Sequence, residues 1–85
     1  MTKEMKLLHA EMMARDMDFE KVHLIFESLH GIIHYIKLAD IARQKNNFEM
    51  STYCMGKYED HVYWADVLLE AYNLPWTSKQ LLGIE

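Results

Sequence analysis

The stretch DFEKVHLIFESLHGIIHYIKLADIARQKNN, residues 18–47, decides the fold. Its large apolar residues return at spacings of three and four. Phe19, Val22, Phe26, Leu29, Ile33 and Ile36 form a continuous stripe, with Ile25, Ile32 and Ala39 beside it. That period is helical, and the alternation of a half-buried strand is absent. Asp18 stands where an N-cap belongs, and Met17 and Val22 are spaced to pack around it as a hydrophobic staple. Asn46-Asn47 supplies the turn that follows, so the pattern predicts one long helix from about Asp18 to Lys45.

Working outward, Met5, Leu8 and Met12 mark an earlier helix over about Thr2 to Arg15, with His9 and Met13 alongside its stripe. Neither glycine nor proline separates the two, so one continuous helix to about residue 45 is the alternative. On the other side a third helix fits Phe48 to Tyr72, ended by Asn73 and Pro75. The short connection at Asn46-Asn47 makes it the antiparallel neighbour of the second. Thr77-Ser78-Lys79-Gln80 has the form of a capping box opening a last helical turn, which Gly83 closes. The expected fold is therefore all-α, a single domain over residues 1–85. It is a small three-helix bundle built on a long antiparallel helical hairpin, with a short C-terminal helical turn.

Eighty-five residues bury a modest core, which leaves such a chain marginal without help. Cys54 is the only cysteine, so a disulfide within the chain is excluded, and in a helix it reads as a small core hydrophobe. Met1 to Lys6 is charged and leads into no long apolar run, unlike a secretory signal. No segment has the ~18 apolar residues of a membrane span. The protein is expected in the cytoplasm, away from membranes. Net charge is −4, and Lys37, Arg43 and Lys45 are the nearest approach to a basic cluster. They fall near a helix C-terminus, where cations complement the dipole. Nucleic acid is thus not an expected partner.

The third helix is the most informative. Met50, Tyr53, Cys54, Tyr58, Val62, Trp64, Ala65, Leu68, Leu69 and Tyr72 cover more than half of its circumference. One neighbouring helix covers a stripe only a little over 100° wide. Either the first helix and the tail cover the remainder, or another chain does. On the opposite side Glu59, Asp66 and Glu70 lie together around Tyr63, the composition of a solvated face or of an acidic docking surface for a basic partner. The tail residues Leu74, Trp76, Leu81, Leu82 and Ile84 are apolar enough either to cap the bundle or to anchor in a partner groove. From these features the residues expected to meet a partner are Tyr58, Glu59, Tyr63, Asp66, Glu70 and Trp76.

Several polar residues stand apart. Glu20, His23, Glu27, His30 and His34 form one strip on the second helix. The two Glu-x-x-His spacings in it resemble those of helical di-metal sites, and a His pair four apart suits zinc. Glu27, His30, His34 and His61 are accordingly the candidate metal ligands, the competing account being solvated helix-surface pairs. Asp40 and Lys57 lie on apolar sides at similar heights of the hairpin, where an ion pair would fix its register, with Arg43 as a substitute cation. Gly31 interrupts the second helix at a cost near 1 kcal/mol against alanine, for close backbone approach or for no reason visible in the sequence.

No nucleophile elbow, phosphate-cradling glycine loop or Cys-His spacing points to catalysis, and no cofactor is expected. The sequence favours a small non-enzymatic protein-interaction module, regulatory, adaptor or inhibitory in kind, that acts through helix surfaces and self-associates, for instance as a homodimer. The alternative is a metal-binding helical bundle using the Glu/His strip.

Overall fold

A computed structural model describes residues 2–84 and places helices at Lys3–Ala14 (α1), Phe19–Gln44 (α2), Phe48–Ala71 (α3) and Ser78–Leu82 (α4). The expected helices are all present, and no strand occurs among the described residues. Each start is capped by the side chain the sequence suggested or by a close equivalent. Asp18 accepts from the Glu20 amide and Asn47 from the Met50 amide, while Thr77 and Gln80 form a full capping box.

The helix ends share one device. Asp16, Asn46, Asn73 and Gly83 all adopt left-handed backbone, with φ of 53°, 57°, 55° and 67°. In each case the following amide reaches back five residues, as in Met17 to the Met12 carbonyl, Asn47 to Ala42, Leu74 to Leu69 and Ile84 to Lys79. This is the Schellman closure, made three times by Asp or Asn, the residues besides glycine that tolerate αL. It settles the first break in favour of two helices. Arg15 secures that corner by donating to the Tyr72 and Asn73 carbonyls at the end of α3.

α2 and α3 pack along their lengths as a hairpin, and their buried seam differs from the expected stripe. On α2 the inward residues are Ile25, Leu29, Ile32, half-buried Ile36, and Ala39, spaced four, three, four and three. That is a 3.5-residue period, the one two long helices in continuous contact keep. Phe19 and Ile33, placed on the stripe by the 3.6 period, are 79% and 40% exposed. Toward the hairpin tip the seam narrows to Ala39, Ala42, Ser51 and Cys54, all small and buried, which lets the backbones approach closely. Nearer the base, Gly31 faces His61, whose Cδ2 lies 2.2 Å from where a Cβ would stand. The helix-breaking residue is there to admit a ring from α3.

α1 and α4 form a third layer over the base of the hairpin. Leu8, Met12 and Leu81 complete a core with Ile25, Leu29, Ile32, Ala65, Leu69 and Leu74. Thr2 ties the layer together, its Oγ1 capping α1 through the Met5 amide and donating to the Leu81 carbonyl. The apolar tail thus folds back as a cap, with Trp76 and Leu82 packed on the same core. Twelve residues of α1 reach ~18 Å along a 26-residue α2 of ~39 Å. The distal hairpin therefore stays two helices thick. The molecule measures 46 × 21 × 18 Å, and its radius of gyration of 14.1 Å exceeds the ~12 Å of a rounded chain of this length.

The expected ion pair between Asp40 and Lys57 does not form. Asp40 binds Arg43 one turn along its own helix, with both side chains largely in water, and the Lys57 ammonium lies 5.8 Å from the Tyr53 ring centre. An exposed i,i+3 pair keeps both ions hydrated, whereas a pair across the seam would have to desolvate them. One polar atom does remain buried without a hydrogen-bond partner among the described residues, the Ser78 Oγ. Replacing it by alanine removes an unsatisfied hydroxyl while the Ser78 amide keeps its 2.7 Å bond to the Asp66 carboxylate. Ser78→Ala is expected to stabilise the fold by ~1 kcal/mol. In a thermal melt that is a rise in Tm of roughly 4–8 °C for a domain of this size. A fall in Tm would mean that the hydroxyl has a partner after all.

Candidate functional site

The residues expected to meet a partner divide into two groups. Glu59, Tyr63 and Glu70 lie on the outer side of α3, exposed, with the Tyr63 ring edge-on to Trp64 at 5.5 Å. Tyr58 and Trp76 instead pack half-buried against the core, and Asp66 has one carboxylate oxygen committed to the Ser78 amide. Asp66, Glu70 and Trp76 still share one shallow recess of about 340 Å³, walled by Leu74, Pro75 and Thr77.

A second surface lies on the side of the hairpin away from α1 and α4. Leu24 and Ser28 of α2 face Lys57, Asp60, His61 and Trp64 of α3 across a groove of about 380 Å³, with Glu27 at its edge. Trp64 is 58% and Leu24 48% exposed. Two carboxylates and one ammonium rim this apolar floor. Beside the groove, Tyr63 lies edge-on to Trp64 at 5.5 Å on the outer side of α3, where Glu59 and Glu70 are also exposed. Such a surface suits a partner that presents apolar side chains edged by Lys or Arg, because aromatic rings contribute contact area and long-range charge guides docking.

The candidate metal ligands Glu27, His30, His34 and His61 line one broad depression together with His23, Phe26 and Tyr35. They are brought to one neighbourhood without converging. Among the described residues no three His, Cys, Asp or Glu side chains come together as a group that could hold a metal ion. Tyr35 stands between two of the imidazoles, 5.2 Å from His34 and 5.3 Å from His61 by ring centres. The Nδ1 of His61 is bonded to the Lys57 carbonyl at 2.8 Å, and its Nε2 is turned against Gly31. Along the strip, His23 pairs with Glu27 rather than with Glu20, at 3.5 Å and in solvent, while its ring stacks on Phe19. These contacts describe a solvated helix face with one ring, His61, used for packing.

Sequence reasoning passed over Leu24 and placed Ile33 in the buried stripe, and it did not single out Phe48 or Met55; all four are exposed. A strict 3.5-residue seam through Ile25, Leu29, Ile32 and Ile36 would have found the first two, because it leaves Leu24 and Ile33 outside. Charge is also unevenly placed. Residues 33–57, the distal hairpin, hold Lys37, Arg43, Lys45 and Lys57 against Asp40 and Glu49, a net +2, which leaves −6 on the rest of a chain of net −4. No helix is long and apolar enough to cross a membrane among the described residues. Comparison with known proteins brings no match, whether to a family model, to a curated protein or to a solved structure.

Proposed function

We propose that this chain is a small non-enzymatic protein-interaction module, regulatory, adaptor or inhibitory in kind, that acts through helix surfaces and associates with itself. The observation that carries the reading is the groove between Leu24 and Trp64, where a large aromatic and a large aliphatic side chain stand in solvent beside acidic margins. Burying a Trp and a Leu on a partner contributes several kcal/mol, and Trp is among the residues that dominate measured interfaces. The partner that fits is a protein segment with apolar side chains flanked by cations, complementary to Glu27, Glu59, Asp60 and Glu70.

Leu24→Glu and Trp64→Glu place charge where binding would bury it and disturb little else. Each is expected to leave stability within about 0.5 kcal/mol, as surface substitutions do. Immobilised protein should then retain from an extract of its source cells a defined protein that neither variant retains. Equal retention by all three forms, with the variants shown to be folded by circular dichroism, would remove the groove from consideration.

A further inference from the structure

The corner between α1 and α2 carries a cavity that shares no residue with the groove at Trp64 or with the Glu/His strip. It has a volume of about 170 Å³ and is lined by His9, Met12, Met13, Asp16, Met17 and Val22. Three thioethers and an imidazole thus share one small wall, with no Lys or Arg among them. Local backbone explains why they meet. His9 stands three residues before Met12 and four before Met13, the spacings that put side chains on one side of a helix. Met17 is returned to the same place by the left-handed turn at Asp16, where its amide donates to the Met12 carbonyl at 3.2 Å.

Packing accounts for part of this group. Met12 is 3% exposed and belongs to the core, and Met17 packs on that core as the apolar contact that accompanies a Schellman closure. It does not account for His9 and Met13, which are exposed, Met13 to 69%. A methionine has three rotatable bonds with which to lay its side chain into an adjoining apolar space. The wall therefore combines two thioethers held by the core with a thioether and an imidazole that can turn toward them.

Donor chemistry selects the ion. Zinc takes thiolate, imidazole or carboxylate, and calcium and magnesium take oxygen, so uncharged thioethers suit none of them. Soft Cu(I) accepts thioether sulfur, and imidazole suits copper as well. A monovalent ion also needs little compensating charge, and Asp16 supplies the one carboxylate in the wall. We propose that this corner is a Cu(I) site in which His9, Met13 and Met17 are the ligands and Met12 forms the floor. His9 and Met13 reach the ion by rotation of their own side chains, so the helices stay in place. An ion held from both sides of the Asp16 turn also stabilises the corner, since the unfolded chain does not bring these residues together.

The test uses the full chain carrying Cys54→Ala, because a thiolate competes for the same ion. Titration with Cu(I), kept reduced by ascorbate under nitrogen, against the chromogenic chelator bicinchoninate should show one ion bound per chain. Met13→Leu combined with Met17→Leu keeps the apolar bulk and removes two sulfurs, and should weaken binding at least ~10-fold, as should His9→Gln alone. His30→Gln combined with His34→Gln, which removes the imidazole pair on α2, should leave the affinity unchanged. Circular dichroism checks that every variant is folded, so that lost binding is not lost structure. With Ag(I) as a redox-inert probe of the same preference, the methyl resonances of Met13 and Met17 should shift while those of Met50 and Met55 stay. No bound Cu(I), an affinity indifferent to Met13 and Met17, or methyl shifts confined to Met50 and Met55 would each overturn the site. Equal affinity for Zn(II) at the same residues would overturn the choice of ion.

Discussion

Ile32→Ala is expected to destabilise the fold by ~2–5 kcal/mol, whereas Ile33→Ala costs no more than ~1 kcal/mol. The two residues are adjacent and chemically identical, so helix propensity and chain entropy cancel in the comparison. What differs is their side of α2. Ile32 is completely buried in the core with Ile25, Leu29, Ala65 and Leu69, while Ile33 is 40% exposed. Truncating the buried one removes its transfer free energy and leaves a cavity that a close-packed seam closes only in part. Against the 5–15 kcal/mol of a typical domain, that loss brings a chain this small near its unfolding midpoint. Urea titration at low protein concentration reads the difference without any contribution from association. Equal losses, or a larger loss at Ile33, would mean that the seam follows the 3.6 period instead.

That comparison also marks how far the sequence can be read. Helix boundaries were legible where they are written locally, in Asp18, Asn47 and the Thr77–Gln80 pair at the starts and in Asn46, Asn73 and Gly83 at the ends. The α1–α2 break, turned by a left-handed Asp16 without glycine or proline, left a continuous helix open. The side of α2 that is buried was not legible, because Leu24, Ile33 and Ile41 make the helix apolar nearly all round. Periods of 3.5 and 3.6 then separate only over several turns. Excess apolar surface on α3 was legible in amount, and Trp64, Met50 and Tyr53 do stand exposed. Its division between core and solvent depended on how far α1 and α4 reach, a length that no residue on α3 encodes. Asp66 is tied to the first residue of α4 through the Ser78 amide, and Tyr58 and Trp76 pack half-buried on the core. The Glu/His strip was correct as a strip, but spacing on one helix is silent about what faces it. From α3 it is met by His61, whose ring is turned against Gly31, and Tyr35 of the same helix as the strip stands between that ring and His34.

Gly31→Ala gives the second large effect, with a sign opposite to the one local propensity assigns. In a helix interior, alanine is favoured over glycine by ~1 kcal/mol. A methyl group at this position would meet Cδ2 of His61 at 2.2 Å, Nε2 at 2.6 Å and Cγ at 2.9 Å. Contact at Cγ matters most, since that atom is one bond from Cβ and does not escape by turning the ring. The whole side chain must leave its rotamer, which breaks the Nδ1 bond to the Lys57 carbonyl and disturbs the contact with Tyr35. Overpacking of this kind costs ~1–3 kcal/mol, enough to outweigh the propensity gain. The destabilised single variant should be rescued by His61→Ala, in whose background Gly31→Ala now stabilises by ~1 kcal/mol. A double-mutant cycle from chemical denaturation measures the coupling, expected within the ~0.5–3 kcal/mol seen for residues in contact. Stabilisation by Gly31→Ala in the unmodified chain would show that the two helices stand farther apart at this level than a ring against a bare backbone requires.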